Sequence, residues 1–325
     1  MKLHENKALY TDAIRFTAQQ KNLPPEYVEK DYWVTYALFH IFKNEIGKET
    51  VFKGGTSLSK CFGLIKRFSE DIDLVVLRNE SETANQLKTK IKKISKCVSN
   101  VLPEVEVEGI TNKLGMIRKT AHSYTKYFTG EYGQVRDKII IETTWLGNFE
   151  PYTTAKVSSF IYEMMLQNNQ QQLIDEYEMN PFKVLVLNPE RTLCEKIMSL
   201  VRFSQSREPI IDLRNKIRHT YDIYLMLEDS KLKRFFQSNE FETMLLQVAN
   251  DDITSFKNNN KWLVNHPTKA IIFSETADTW SKIKNVYTVG FSELVFGEIP
   301  DESEILKTLT AVANRLKTID WNIKL

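Results

Sequence analysis

The stretch FKGGTSLSKCFGLIKRFSEDIDLVV, residues 52–76, limits what this chain can fold into more than any other. A short strand at 50–53 meets Gly54-Gly55, a helix is predicted from Thr56 to Phe62, and IDLVVL at 72–77 has the β-branched content of a buried strand. A double glycine between strand and helix lets the backbone approach a ligand closely. The helix start that follows offers N–H groups and a positive dipole end to an anion, with triphosphate the natural guest. Thr56 and Ser57 add hydroxyl donors to that first turn, and Lys53 and Lys60 carry charge suited to phosphate. Asp71 and Asp73 are two residues apart on a strand, so their carboxylates point to one face. Two like charges held that close call for a cation. Magnesium binds carboxylate oxygens and keeps its other sites for water and phosphates, and one or two such ions suit an in-line displacement at phosphorus.

Each piece alone is weak, because Gly-Gly occurs in many turns and Asp-x-Asp also marks nucleotide-sugar glycosyltransferases and simple loop acids. The ordered combination is far more restrictive, and it does not fit the G-x-x-x-x-G-K-[ST] spacing of a P-loop. A third carboxylate is wanted for the second ion or for the proton of the attacking hydroxyl. Glu142 in IIIETTW is the candidate, being an isolated acid in an apolar strand, and the alternative is a strand-edge glutamate facing solvent. Arg67 and Ser69 either steady the phosphates or cap the strand.

Helical spacing of Val28, Tyr32, Phe39, Phe42 and Ile46 after Pro24-Pro25 predicts an amphipathic helix over 26–46 that ends at Gly47. A second helix over 83–102 has Leu87, Ile91, Ile94, Val98 and Val101 as its stripe. Lys88, Lys90, Lys92, Lys93 and Lys96 cover the rest, a solvated face first and a phosphate-facing patch second. Strands are predicted in EVEVEGI, SYTKYF and RDKIIIETTWLG, with Gly130 and Gly133 at a turn, and then in FKVLVL at 182–187. Asn188 then caps a helix with Pro189 at its first position, and helical periodicity runs to the end, where Asp301 and Glu304 form a capping-box pattern. The expected organisation is an α+β domain, 1–187, with a mixed sheet and flanking helices, followed by a mostly α-helical domain, 188–325.

The 325 residues carry 44 basic and 42 acidic side chains, so a net charge of +2 gives no broad case for nucleic-acid binding, and any such contact must come from a local patch. Cys61, Cys97 and Cys194 lie far apart with no CxxC pair, which excludes a thiolate zinc motif and suggests a reducing compartment. With no apolar leader and no stretch long enough to cross a bilayer, the expected location is the cytoplasm, with no membrane partner.

With these residues in view, the chain resembles the AbiEii/AbiGii toxin family of the nucleotidyltransferase superfamily, found in bacterial toxin–antitoxin and phage-defence systems. The resemblance rests on EKDYWVTYAL at 29–38, FKGGTSLSK at 52–60, RFSEDIDL at 67–74, PERTLCEKI at 189–197 and RHTYDIYLM at 218–226, in that order. It implies a nucleotidyltransferase-fold sheet and an enzyme that moves a nucleotide from an NTP, with pyrophosphate leaving, onto an acceptor. In some members the acceptor is the end of tRNA, and a DNA-binding antitoxin is the implied partner. Carried over, Gly54, Gly55 and Thr56 become the triphosphate cradle and Asp71 and Asp73 the metal ligands. Lys196 and Asp222 match two further motifs that similar toxins need for activity. Nucleotidylation of a protein or small molecule, or a non-catalytic nucleotide- or partner-binding module, are the alternatives. The residues themselves place Lys196 at the border of an apolar helix face, able to reach a phosphate or simply to snorkel. Asp222 stands on a helix apolar nearly all round, where it needs a partner, with Lys196 and Arg218 as candidates for a structural ion pair.

Overall fold

Proline sets where the first long helix starts, and a polar side chain sets where it stops. In the computed structural model, which describes residues 1–69, 71–130, 135–256 and 259–325, α1 spans Lys7–Lys21 and α2 spans Pro25–Lys43 with Pro25 in its first turn. α2 ends earlier than the apolar spacing predicts. Asn44 leaves the helix in an extended conformation and its side-chain amide donates to the His40 carbonyl at 2.6 Å, so the chain turns there into a 3₁₀ segment, Glu45–Glu49. Gly47 is not the helix cap. A Cβ on it would collide with the Phe42 backbone, which is why the turn can pack so tightly.

The elements that follow are β1 (Thr50–Lys53), α3 (Gly54–Phe62), β2 (Ile72–Val76), α4 (Ala84–Ser99), β3 (Glu104–Val105), β4 (Ile117–His122), β5 (Ile139–Thr144), β6 (Tyr152–Val157), α5 (Phe160–Gln167), α6 (Gln171–Glu176) and β7 (Phe182–Leu187). The strands form one mixed sheet in the order β3-β4-β5-β2-β1-β7-β6. β1 pairs antiparallel with β2 and parallel with β7, and β2 pairs parallel with β5. This is the α+β architecture expected, with differences that have local causes. EVEVEGI gives only a two-residue strand, and SYTKYF gives none, because the Tyr127 and Phe128 amides donate to the Glu29 carboxylate instead of to a neighbouring strand. β4 and β6 were not foreseen. β6 is an edge strand whose residues are mostly exposed, so it lacks the apolar alternation that announces a strand. Gly133 of the predicted turn and Glu70 of RFSEDIDL lie outside the described residues.

α2 is more than amphipathic, since Glu29, Lys30 and Asp31 are all buried in it. Each fixes a different segment: Glu29 holds the 127–128 backbone, Lys30 donates to the Arg136 carbonyl, and Asp31 accepts from Lys60 at 2.6 Å and from the Phe160 amide at 2.8 Å. Burial, opposed by its two backbone hydrogen bonds, pushes the Glu29 carboxyl up to about 7. The unfolded chain therefore gives up this proton first, and stability falls as pH rises from about 4.5 through about 7, by about 3 kcal/mol at most. Urea unfolding across that range is expected to show the stability gap between wild type and Glu29→Gln shifting against the wild type, then levelling off above pH 7.5. A gap constant with pH would refute the assignment.

α4 buries Leu87, Ile91, Ile94 and Val98 behind a Thr83–Gln86 capping box. Arg118 Nε donates to Ser95 Oγ at 2.6 Å, so α4 covers the sheet face to which Arg118 points, opposite that of its neighbour Lys119. Lys90 is consumed by Glu49, Glu82 and the Leu77 carbonyl, and Lys88, Lys92, Lys93 and Lys96 are exposed. They make a solvated face.

Two compact units result: residues 1–63 with 67–187, and residues 188–325 with the short piece Leu64–Lys66, whose Lys66 carbonyl accepts from the Phe296 amide. The second unit is built from α7 (Pro189–Ser204), α8 (Pro209–Asn215), α9 (Ile217–Glu228), α10 (Ser230–Gln237), α11 (Asn239–Ser255), α12 (Ile271–Ser274), α13 (Thr276–Thr288) and α14 (Glu302–Leu316). Asn188 stands at the start of α7, but its side chain accepts nothing from the helix. Asp301 caps α14 through the Ser303 amide, whereas Glu304 takes the Tyr224 hydroxyl at 3.1 Å instead of closing the box. Among the described residues no helix is long and apolar enough to cross a membrane.

Candidate functional site

Strand register builds a row of charge in the first unit. Lys53 lies opposite Asp73, Asp73 beside Glu142, and Glu142 opposite Lys119, so four adjacent strands present the order plus, minus, minus, plus on one face. Neighbours in such a row have Cβ atoms about 5 Å apart. Asp71 lies just ahead of β2, not on the strand as expected, and is near enough to act on the Asp73 carboxyl. Burial first, then Asp71 and Glu142, push the Asp73 carboxyl up to about 7, against the pull of Lys53 and Lys119. Cations stand on the other two acids: Arg136 Nη1 lies 3.2 Å from Asp71, and Lys119 Nζ 3.1 Å from Glu142.

Gly54-Gly55 begins α3 directly after Lys53, two residues earlier than predicted. Gly54 sits at φ +82°, and a Cβ there would run into Asp73 Oδ2, so the turn and the acid are packed against each other. At Gly55 a Cβ would lie 2.6 Å from Arg67 Nη2 and 3.1 Å from Ser69 Oγ. The buried Arg67 guanidinium thus lies over the turn, with Nη1 donating to the Phe68 carbonyl. No side chain caps α3, which leaves its first N–H groups to an incoming anion.

The two hydroxyls expected to face phosphate are used within the fold. Thr56 Oγ1 donates to the Asp71 carbonyl at 2.6 Å and bonds Ser69 Oγ at 2.9 Å, while Ser57 Oγ donates to the Gly54 carbonyl at 2.8 Å. They position the turn and the acid. Lys60, expected near phosphate, is instead buried on Asp31, Thr35 and the Ser158 carbonyl. A buried ammonium that has found a carboxylate has no reason to leave it.

In the second unit, Lys196 Nζ lies 2.7 Å from Asp222 Oδ2, both side chains being buried, with His219 Nδ1 3.5 Å from the amine. Of the two partners offered for Asp222, Lys196 is an ion-pair partner, joining positions 26 residues apart on α7 and α9. Buried Arg191, which the sequence reading passed over, bridges Glu195 and Asp251 at 3.2 and 2.7 Å. Sequence reasoning also missed Lys119 and Arg136, and it quoted the Glu29-Lys30-Asp31 run within EKDYWVTYAL without giving those side chains a role. Only the last had a signal, three consecutive charges inside an otherwise apolar helix.

A nucleotidyl transferase family model, that of the AbiEii toxin of type IV toxin–antitoxin systems, matches residues 36–307. The chain belongs to the AbiEii nucleotidyl transferase toxin family. This AbiEii chain is therefore an enzyme of the nucleotidyltransferase class, and the match runs well past the last segment with a readable motif, into α14. Among solved structures it is similar to the MenT4 nucleotidyltransferase toxin from Mycobacterium tuberculosis H37Rv, at 14% identity and a TM-score of 0.48, over 94% of this chain and 98% of that one. None of the curated proteins matches it.

Proposed function

We propose that this AbiEii member transfers a nucleotidyl group from an NTP to a hydroxyl of RNA, with tRNA as the acceptor class and magnesium as the ion. The observation that carries the reading is the row Lys53, Asp73, Glu142, Lys119 lying against Gly54. Among the described residues no three His, Cys, Asp or Glu side chains are gathered closely enough to hold a metal by themselves. The aspartates still fit magnesium, which takes one or two carboxylates and fills its shell with water and substrate phosphates. Burial, and after it Asp71 and Glu142, raise the Asp73 carboxyl to about 7, and a cation beside it would favour its charged form.

When bound, the ion would polarise the α-phosphate and offset charge on the leaving pyrophosphate. Asp71 and Asp73 would hold it, and Glu142, with one oxygen on Lys119, would accept the hydroxyl proton. The N–H groups of the Gly54-Gly55 turn, with Lys53 and Arg67, bind the β- and γ-phosphates, and Thr56 and Ser57 keep that turn in shape. The acceptor oxygen forms its bond to the α-phosphorus as the α–β phosphoanhydride bond breaks, and pyrophosphate departs with the bonding pair. Lys196 and Asp222 join the proposal as one unit, because they form a buried ion pair at 2.7 Å. A cognate antitoxin, encoded next to the toxin, completes it.

Labelled NTPs incubated with the protein, magnesium and total RNA are expected to label tRNA, with protein acceptors offered in parallel staying blank. Asp71→Ala is expected to cut transfer at least 100-fold. Label following protein instead would move the acceptor class, and transfer unchanged by Asp71→Ala would remove the assignment of the site.

A further inference from the structure

Lys119 stands outside every motif in the sequence, on a strand that no pattern announced, yet it ends the charged row. Its amide donates to the Asn112 carbonyl at 2.6 Å, and its carbonyl accepts from the Asn112 amide at 2.9 Å. Both main-chain groups are thus turned away from β5, which makes Lys119 and Glu142 a non-hydrogen-bonded pair of the β4–β5 ladder. The Cα atoms of such a pair stand about 4.5 Å apart, closer than in the hydrogen-bonded pairs on either side, so the main chain brings these two side chains together. Lys119 Nζ lies 3.1 Å from Glu142 Oε2, with the side chains 30% and 38% exposed. An ion pair as open as this adds little to stability, and the strand has main-chain partners on both sides without it. Direction is what the pair supplies. Asp73 lies beside Glu142 on β2 and Lys119 opposite it on β4, so repulsion from one and attraction to the other both draw the carboxylate toward β4. Oε2 is engaged there, while among the described residues Oε1 carries no hydrogen bond.

We infer that Lys119 is a positioning residue: by holding Oε2 of Glu142 it leaves Oε1 as the oxygen that takes the proton of the acceptor hydroxyl. This rests on the reading of Glu142 as the proton acceptor. As the hydroxyl oxygen bonds to the α-phosphorus and pyrophosphate leaves with the bonding pair, the hydroxyl proton passes to Oε1, and Lys119 keeps the carboxylate from turning away. Lys119 itself touches neither nucleotide nor acceptor. Its loss therefore slows the step without loosening either substrate.

A double-mutant cycle on Lys119 and Glu142, followed by transfer from labelled NTP to tRNA, tests this. Lys119→Met is expected to lower kcat about tenfold or more with KM for both substrates near wild type, Lys119→Arg to recover part of that loss, and Glu142→Gln to lower kcat at least 100-fold. In the Glu142→Gln background Lys119→Met should cost nothing further, because it acts through a carboxylate that is gone. Unfolding cannot imitate that result, since it would lower activity alike in both backgrounds. Binding of α,β-methylene NTPs and of tRNA, measured without turnover, should be the same in Lys119→Met as in wild type. Losses that add in the double mutant, or no recovery by Lys119→Arg, overturn the positioning role. A loss carried by KM and by analogue or tRNA binding also overturns it and makes Lys119 a phosphate contact. Glu142→Gln with full activity fails the reading of Glu142 itself, whereas an inactive Glu142→Gln beside a fully active Lys119→Met overturns only the inference about Lys119.

Discussion

Gly54→Ala is expected to reduce nucleotide transfer by at least 100-fold while Gly63→Ala leaves it near wild type, although the two glycines open and close the same helix. Both residues sit in the left-handed region, at φ +82° and +64°, so an alanine at either carries a backbone cost of about 1–2 kcal/mol. Their surroundings differ. A Cβ on Gly63 meets nothing within 4 Å, while one on Gly54 is driven into the Asp73 carboxylate. Asp73 is confined by its strand and by Glu142 alongside, so relief comes from moving the carboxylate or the turn, and a shift near 1 Å in a reacting constellation costs about 100-fold. Steady-state transfer with labelled NTP, alongside urea unfolding, measures both effects. Equal activity losses in the two variants would mean that backbone strain in α3, and not the packing of turn on acid, controls the reaction.

That contrast bears on what a sequence can disclose. The order strand, glycines, helix, acids was legible because local rules write it: φ freedom at glycine, a two-residue period on a strand, β-branched residues in a buried one. Long-range pairing is not written locally. Asp73 beside Glu142 depends on β2 pairing parallel with β5, across 69 residues of chain, and isolated acids in apolar strands are common enough that Glu142 could equally have faced solvent. Thr56 and Ser57 show the opposite failure. Their position in the turn was read correctly, but the Ser57 hydroxyl bonds the Gly54 carbonyl one turn back, and the Thr56 hydroxyl bonds the Asp71 carbonyl, which the chain brings beside it from 15 residues on. Lys60 was misdirected because its acid came from α2, 29 residues earlier, a pairing that no local rule writes. Arg136 had no pattern at all, since an exposed arginine in a loop acquires meaning only from what lies across from it.

Lys196 and Asp222 bring the second large expected effect, and here the fold and the chemistry make different predictions for the same mutants. Removing either partner breaks a buried ion pair, so Lys196→Met and Asp222→Leu are each expected to lose about 3–5 kcal/mol of stability. Replacing both with apolar side chains of similar bulk removes the desolvation cost along with the attraction, and Lys196→Met/Asp222→Leu should recover most of that loss. Inactivity of the single mutants therefore says little, because a partly unfolded enzyme is inactive for any cause. The double mutant separates the roles: if the pair takes part in the reaction, as the resemblance implies, it should unfold near the wild-type urea midpoint and still transfer at least 100-fold more slowly. A double mutant that is both stable and active would make the pair a device for joining α7 to α9, and the chemistry would then rest on the charged row of the first unit alone.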